Sequence, residues 1–449
     1  MPEPAKQASL RRLPSIEVLA ARAPGLAHRL AVSAAQFVIR DVRRRLLEGE
    51  HVDVSLAALD ELLLVRAHAL SSLSLRPVIN ATGVILHTNL GRAPLAPLAA
   101  EAAAMAASSY TNLEYDLCTG KRGSRQDHIE KLLCEFLGTQ SALAVNNNAA
   151  GVLLALAALA GEREVIISRG QLIEIGGSFR IPEILASSGA KLREVGTANR
   201  TYIADYEEAI GEQTAALLRV HRSNFEVRGF TKDVPLQELC ELADRHGLPV
   251  IDDLGSGAVL PFGDEPTLQT SIAAGATIVC SSADKLLGGP QAGLLLGSRS
   301  AIKRCRSHPL ARALRIDKMQ LAALEATLRM HWLGENEGVP TLAMMSIPAV
   351  ELEARAQLLS DAIGESATVT CSASRPGGGS LPGTELPGAA CAVDSMPLSA
   401  NAFVAALRQG EPSIVARITD GRVLLDPRTI EVCDLELVGR LVRANLSRS

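Results

Sequence analysis

Ser281-Ser282-Ala283-Asp284-Lys285-Leu286-Leu287-Gly288-Gly289-Pro290-Gln291-Ala292-Gly293 is the stretch on which the fold turns. Just upstream, Ala276-Thr277-Ile278-Val279-Cys280 is a short apolar run with β-branched residues, the pattern of a buried strand. Lys285 therefore stands at the carboxyl end of a strand, ahead of a glycine-rich loop, and open α/β sheets bind ligands at that edge. A lysine amine placed there forms a Schiff base with an aldehyde once its neighbours lower its pKa. Polar residues before it and Gly288, Gly289 and Gly293 after it suit a cofactor that carries a phosphate. Taken alone, the loop is equally readable as a surface lysine beside a tight turn.

A second strand about 30 residues upstream, one βα unit away, favours the chemical reading. Leu248-Pro249-Val250-Ile251-Asp252-Asp253-Leu254-Gly255-Ser256-Gly257 is apolar and ends in two carboxylates and a glycine turn. A carboxylate at that place pairs with a protonated pyridine nitrogen and keeps the ring an electron sink, which makes pyridoxal 5′-phosphate (PLP) the cofactor expected. Asp252 is the candidate for that partner, with Asp253 read as a helix cap or a solvent-facing group. A third turn, Asn146-Asn147-Asn148-Ala149-Ala150-Gly151, follows the strand Ser141–Val145 and opens an Ala/Leu-rich helix. The N–H groups of Asn147, Asn148 and Ala149 and the helix dipole can seat a phosphate there; ordinary asparagine cap chemistry competes.

The chain has 449 residues, room for two or three domains. Hydrophobic residues make up 47% and aromatic ones only 3%, which suits a helix-rich α/β core better than a β-sandwich. A net charge of −4 argues against a generally basic nucleic-acid coat, while leaving room for a local basic patch. No run of 18 apolar residues and no signal-like N-terminus are present, so no membrane association and a cytoplasmic location are expected. The eight cysteines are scattered with no C-x-x-C, predicting reduced thiols and no metal site.

Three units are expected. Residues 1–76 show only helical spacing, over Ile16 to Ala23, Leu30 to Leu47 and Leu56 to Leu75. They hold 11 Lys and Arg against 8 Asp and Glu, a local +3 that leaves −7 for the rest. Arg40, Arg43 and Arg44 share a helical face, as a solvated stripe or a nucleic-acid contact. Residues 77–335 alternate strand and helix, which implies a mostly parallel sheet covered on both faces. Residues 336–449 read as a smaller α/β domain. Its Gly/Ser/Pro-rich segment between Ser372 and Pro387 is either a mobile loop or a lid over a ligand.

Four segments together resemble the bacterial selenocysteine synthases, the PLP-dependent L-seryl-tRNA(Sec) selenium transferases. They are Arg76-Pro77-Val78-Ile79-Asn80-Ala81-Thr82-Gly83-Val84-Ile85-Leu86-His87-Thr88-Asn89-Leu90-Gly91-Arg92, the run from Asn112 through Arg125, Val145 to Ala150, and the Lys285 loop with His308-Pro309-Leu310-Ala311-Arg312-Ala313-Leu314-Arg315. The resemblance implies PLP fold type I: a large PLP-binding domain, a smaller C-terminal domain and a helical N-terminal domain that holds the tRNA. It further implies Lys285 as the residue linked to PLP and as the proton carrier at Cα. Ser282 is expected as a further phosphate ligand and Gln171 over the ring, and Asn224 resembles the residue that contacts the ring oxygen in related PLP folds. A loop position for Gln171 and a capping role for Asn224 compete with those roles. Arg92, Arg312 and Arg315 are the anion candidates for selenophosphate, because a guanidinium fork matches phosphate oxygens; surface ion pairing competes. Lys121, Arg122 and Arg125 are left between a tRNA contact, a subunit contact and a solvated loop. The implied reaction replaces the β-hydroxyl of tRNA-esterified serine by selenium through an aminoacrylyl-tRNA, in a ring-shaped homo-oligomeric decamer. The runner-up is a PLP lyase or aminotransferase acting on a small amino acid or amino sugar.

Overall fold

The computed structural model describes residues 3–174 and 180–447. The chain divides into two compact units, 1–77 and 78–449.

The first unit is helical, with helices Glu3–Arg11, Ile16–Ala20, His28–Leu47 and Leu56–Ser71. Ser15 and Ser55 cap the second and fourth, each accepting a bond from a first-turn N–H. Apolar positions at helical spacing bring Leu19, Ala34, Ala35, Val42, Leu46, Leu59 and Leu63 into one small core of the unit's own. The arginine stripe is partly spent within it. Arg44 pairs with Asp41 and Glu48, and Arg45 with Glu50. Arg40 and Arg66 both lie over the Phe37 ring, at 4.6 and 3.9 Å.

The second unit is built on a seven-stranded sheet. Its spatial order is Ser141–Val145, Gly293–Gly297, Ile278–Ser282, Val250–Gly255, Thr214–Val220, Glu164–Ser168 and Lys191–Val195. Gly293–Gly297 runs antiparallel to both its neighbours, and the other pairings are parallel. The strands are apolar on both sides because helices cover both faces, giving two cores. One contains Leu217, Val250 and Val279, the other Leu218, Ile251 and Ile278.

A second, six-stranded sheet has the order Val78–Ala81, Ser413–Thr419, Arg422–Leu425, Leu386–Val393, Ala367–Gly377 and Val84–Leu86. The segment just after Pro77, expected with the large domain, thus hydrogen-bonds into the C-terminal sheet at both edges. Val78 aligns with Ser413 and Val84 with Arg375, both in parallel pairs. The separation in sequence between these partners hid the pairing. The chain then passes from the small sheet directly into the loop His87–Ala93, and Ala93 N–H donates to the Asp284 carbonyl beside Lys285.

Candidate active site

Lys285 follows the strand Ile278–Ser282 by three residues and is 4% exposed. It lines a cavity of about 260 Å³ together with Arg92, Asn148, His221, Asp253 and Ser282. Loops from several strand ends meet there, and close backbone packing fixes them. Gly257, at φ +72, has no room for a side chain, since a Cβ would lie 2.3 Å from the Ser282 carbonyl oxygen. Burial, and then the nearby Arg92 guanidinium, hold the Lys285 amine below its ordinary pKa, against the raising effect of Asp284, Asp253 and Glu265. A larger neutral fraction makes that amine a better nucleophile and base.

The two aspartates separate because a strand alternates its faces. Asp252 shares its register with Arg219 and Val279, Asp253 with Val220 and Cys280. Asp252 therefore points away from the cavity, fully buried, and accepts a 2.7 Å bond from Arg219. Asp252, expected from the sequence as the cofactor partner, is thus outside the cavity lining. Asp253 is the carboxylate that faces Lys285. It is 2% exposed and accepts a 2.8 Å bond from the Asn148 amide. Burial pushes its pKa up to about 6, although Asn148, Lys285 and His221 all pull the other way. The sequence did hold a signal: Arg219 is a lone charge in the apolar run Ala215–Val220 and needs a buried counter-ion, which Asp252 supplies.

The helix Asn148–Leu159 starts at the cavity wall. The Asn147 side chain is spent on its cap, accepting from Ala150 N–H at 2.9 Å. Asn148 and Ala149 stand ahead of it in the first turn and line the cavity, with Ser282 on the same wall. His221, quoted in the sequence only as a neighbour of Asn224, lines the cavity with Ser223. Its Nε2 lies 3.2 Å from Glu265 Oε1, and against the raising effect of burial this contact pulls the Glu265 pKa down.

Of Gln171, Asn224, Arg92, Arg312 and Arg315, Arg92 lines the Lys285 cavity. Gln171 is buried but accepts from Val220 N–H and lines a neighbouring cavity, so it steadies the strand end that carries His221. Asn224 donates to the Glu174 carbonyl and is outside the cavity lining. Arg92 is in the lining, paired with Asp284 at 2.8 Å. Arg312 and Arg315 are exposed and outside the lining. Arg315 stands opposite Val145 and shares Glu114 with Arg122 and Arg125. Arg125 also donates to the Ile316 carbonyl, so it ties that loop down.

The Gly/Ser/Pro-rich segment closes over the lysine. A Cβ on Gly379, at φ +87, would lie 2.7 Å from Lys285 Nζ. Ser380 is fully buried, and Leu381 packs with Ile85, Leu86, Ala258 and Leu286.

The cavity fits PLP on its own features. It offers first-turn amides for a phosphate, a buried carboxylate for a ring nitrogen and an amine of lowered pKa for an aldehyde. With the seven-stranded sheet, that places the chain in fold type I of the PLP-dependent enzymes. Residues 78–431 match the family described as SelA: L-seryl-tRNA selenium transferase. The chain is 48% identical over 439 residues to the L-seryl-tRNA(Sec) selenium transferase of Moorella thermoacetica, covering 94% of this chain and 93% of that one. It is 42% identical over 452 residues to that of Aquifex aeolicus, covering 98% and 99%. The chain belongs to the L-seryl-tRNA(Sec) selenium transferase family and is a PLP-dependent transferase. A solved structure described as D-glucosaminate-6-phosphate ammonia-lyase superposes with a TM-score of 0.62 at 24% identity, covering 83% of this chain and 96% of that one. That likeness concerns the fold alone.

Proposed function

We propose that the Lys285 cavity converts L-seryl-tRNA(Sec) to L-selenocysteinyl-tRNA(Sec), replacing the serine β-hydroxyl with selenium from selenophosphate. The observation that carries this reading is the buried, pKa-lowered Lys285 amine facing Asp253, in a chain matched to the family from residue 78 to 431. PLP, when bound, would supply an electron sink for the charge left at Cα. Lys285 is the residue that would hold PLP, and its amine is placed to move the Cα proton. Asn148 and Ala149 N–H groups and the Ser282 hydroxyl hold the phosphate. Asp253 would pair with the ring nitrogen, whose positive charge would hold the carboxylate ionised against the raising effect of burial. His221 and Ser223 border the ring's place. Asn147 shapes the turn, and Gln171 steadies the strand behind His221.

Arg92 is the inner ligand for the anionic donor, with Arg312 and Arg315 as further anion ligands at the same sheet edge. The helical unit 1–77 holds the tRNA, with Arg40 and Arg43 the arginines of its stripe that form no salt bridge among the described residues. The free state of all eight cysteines supports a reducing compartment, the cytoplasm. Among the described residues, no helix is long and apolar enough to cross a membrane. A ring-shaped homo-oligomer, a decamer, is the assembly proposed, and light scattering of the holoenzyme checks it. The deciding experiment is to incubate the purified protein with seryl-tRNA(Sec), with and without selenophosphate, and identify the aminoacyl product. Unchanged seryl-tRNA in both arms would overturn the proposal.

A further inference from the structure

We infer that a second cavity, on the far side of Arg92, seats the 3′-terminal nucleoside of the aminoacylated RNA. The inference rests on the proposed function, because it asks where the ester-linked end of the substrate goes. The seryl carboxyl is bonded to a ribose, so a serine held at Lys285 must continue into a sugar and a base.

The second cavity is about 240 Å³, on the scale of one nucleoside rather than of a whole drug-sized ligand. It adjoins the Lys285 cavity through Arg92, which lines both. The partition is the tight loop His87–Ala93. Thr88–Leu90 form one helical turn, Gly91 and Arg92 both have positive φ, and Arg92 N–H donates back to the His87 carbonyl. A non-glycine residue at φ +63 is a costly conformation, held here by the backbone bonds from Arg92 to His87 and from Ala93 to Asp284.

Its chemistry selects a neutral ligand. The Arg92 guanidinium is turned to Asp284, which lines the Lys285 cavity, and the ionic groups on this side are two carboxylates, Glu431 and Asp434. They disfavour a selenophosphate or a free phosphate and accept bonds from ribose hydroxyls or a base amine. Leu90 and the polarisable Met344 give the base an apolar wall. His87 Nδ1 is buried without a hydrogen-bond partner, a group that awaits a ligand atom. The cavity on the other side, reached past His221, is a poorer fit. Its arginines and carboxylates are already paired, Arg219 with Asp252 behind the wall, Arg222 with Asp233 and Glu226 with Arg228, and Gln171 accepts from Val220 N–H.

The test uses the full-length, cofactor-loaded protein and two probes, L-serine methyl ester and 3′-O-(L-seryl)adenosine, titrated against the cofactor's absorbance. The expected half-saturation is on the order of tenfold lower for the adenosine ester, the scale of a few good contacts. Met344→Trp, which fills the cavity, is expected to erase that advantage without moving the methyl ester's half-saturation. His87→Ala is expected to reduce it severalfold and serves where the tryptophan variant fails to fold. Free adenosine should compete with the adenosine ester but not with the methyl ester, and tRNA(Sec) should compete better than the same tRNA without its terminal adenosine. Competition by free adenosine without a difference between the two tRNAs would overturn the RNA end as the source. Equal half-saturation for the two esters, or an undiminished advantage in a folded Met344→Trp protein, would overturn the inference as a whole. Absence of any absorbance response to both esters would instead overturn the reading of the Lys285 cavity.

Discussion

Asp253→Asn and Asp252→Asn should change the cofactor-free protein in opposite directions. Asp253 has a pKa pushed up to about 6 by burial, against an ordinary 3.8. A rise of about two units corresponds to ~3 kcal/mol favouring the protonated carboxyl. Its folded pKa lies above its unfolded one. The protonated form is therefore fully stabilised below about pH 4, and the folded state loses that ~3 kcal/mol as the pH climbs to about 6. Asparagine keeps the size, still accepts from Asn148 and has no charge to bury. Asp253→Asn should melt a few degrees above the parent at pH 8, with the gap closing by pH 4. Asp252→Asn strips the counter-ion from Arg219, whose side chain is 19% exposed, and should cost on the order of 3 kcal/mol at pH 8. With PLP the order changes: Asp253→Asn should lose most of its cofactor affinity, while folded Asp252→Asn protein keeps it. Thermal melts of stripped protein from pH 4 to 8, with PLP titrations alongside, measure all of this. A stabilised Asp252→Asn together with unchanged PLP binding in Asp253→Asn would refute the facing argument.

Other outcomes follow from the same geometry. Lys285→Ala should lose the absorbance of the lysine-linked cofactor, and a surviving borohydride-reducible band would contradict the assignment. Arg92→Ala removes a cation that lowers the Lys285 pKa and frees Asp284 to raise it, so PLP reloading at fixed pH near 7.5 should slow severalfold and recover at higher pH. A reloading profile that does not move with pH would count against the electrostatic role. Gly379→Ala forces a Cβ to within 2.7 Å of Lys285 Nζ and should impair covalent cofactor loading more than Gly421→Ala, which shares a positive φ but meets open space. Equal effects would reduce the argument to backbone strain. Deleting residues 1–70 should abolish seryl-tRNA(Sec) binding in a gel shift while PLP stays bound, since the helices carry their own core. Retained tRNA affinity would remove the RNA role from that unit.

The elements and the reactive residue are legible in short stretches of the chain. The apolar run before Lys285, the glycines after it and the asparagine turn before the helix at 148 are local patterns. Local patterns fix strand ends, loops and caps because backbone sterics and hydrogen bonding act over a few residues. Which side chains face one another depends on long-range packing. Two adjacent aspartates at the end of one strand look alike in sequence, and only the neighbouring strand's Arg219 settles which one turns away. The strands at residues 78–86 pair with partners near 375 and 413, and that choice belongs to loop closure and sheet register rather than to any local signal. The same closure brings Arg92 and Gly379, far apart in the chain, onto Lys285. A lysine at a strand end is thus written in the residues around it. Its lowered pKa and its facing carboxylate exist only once distant segments have excluded water from it.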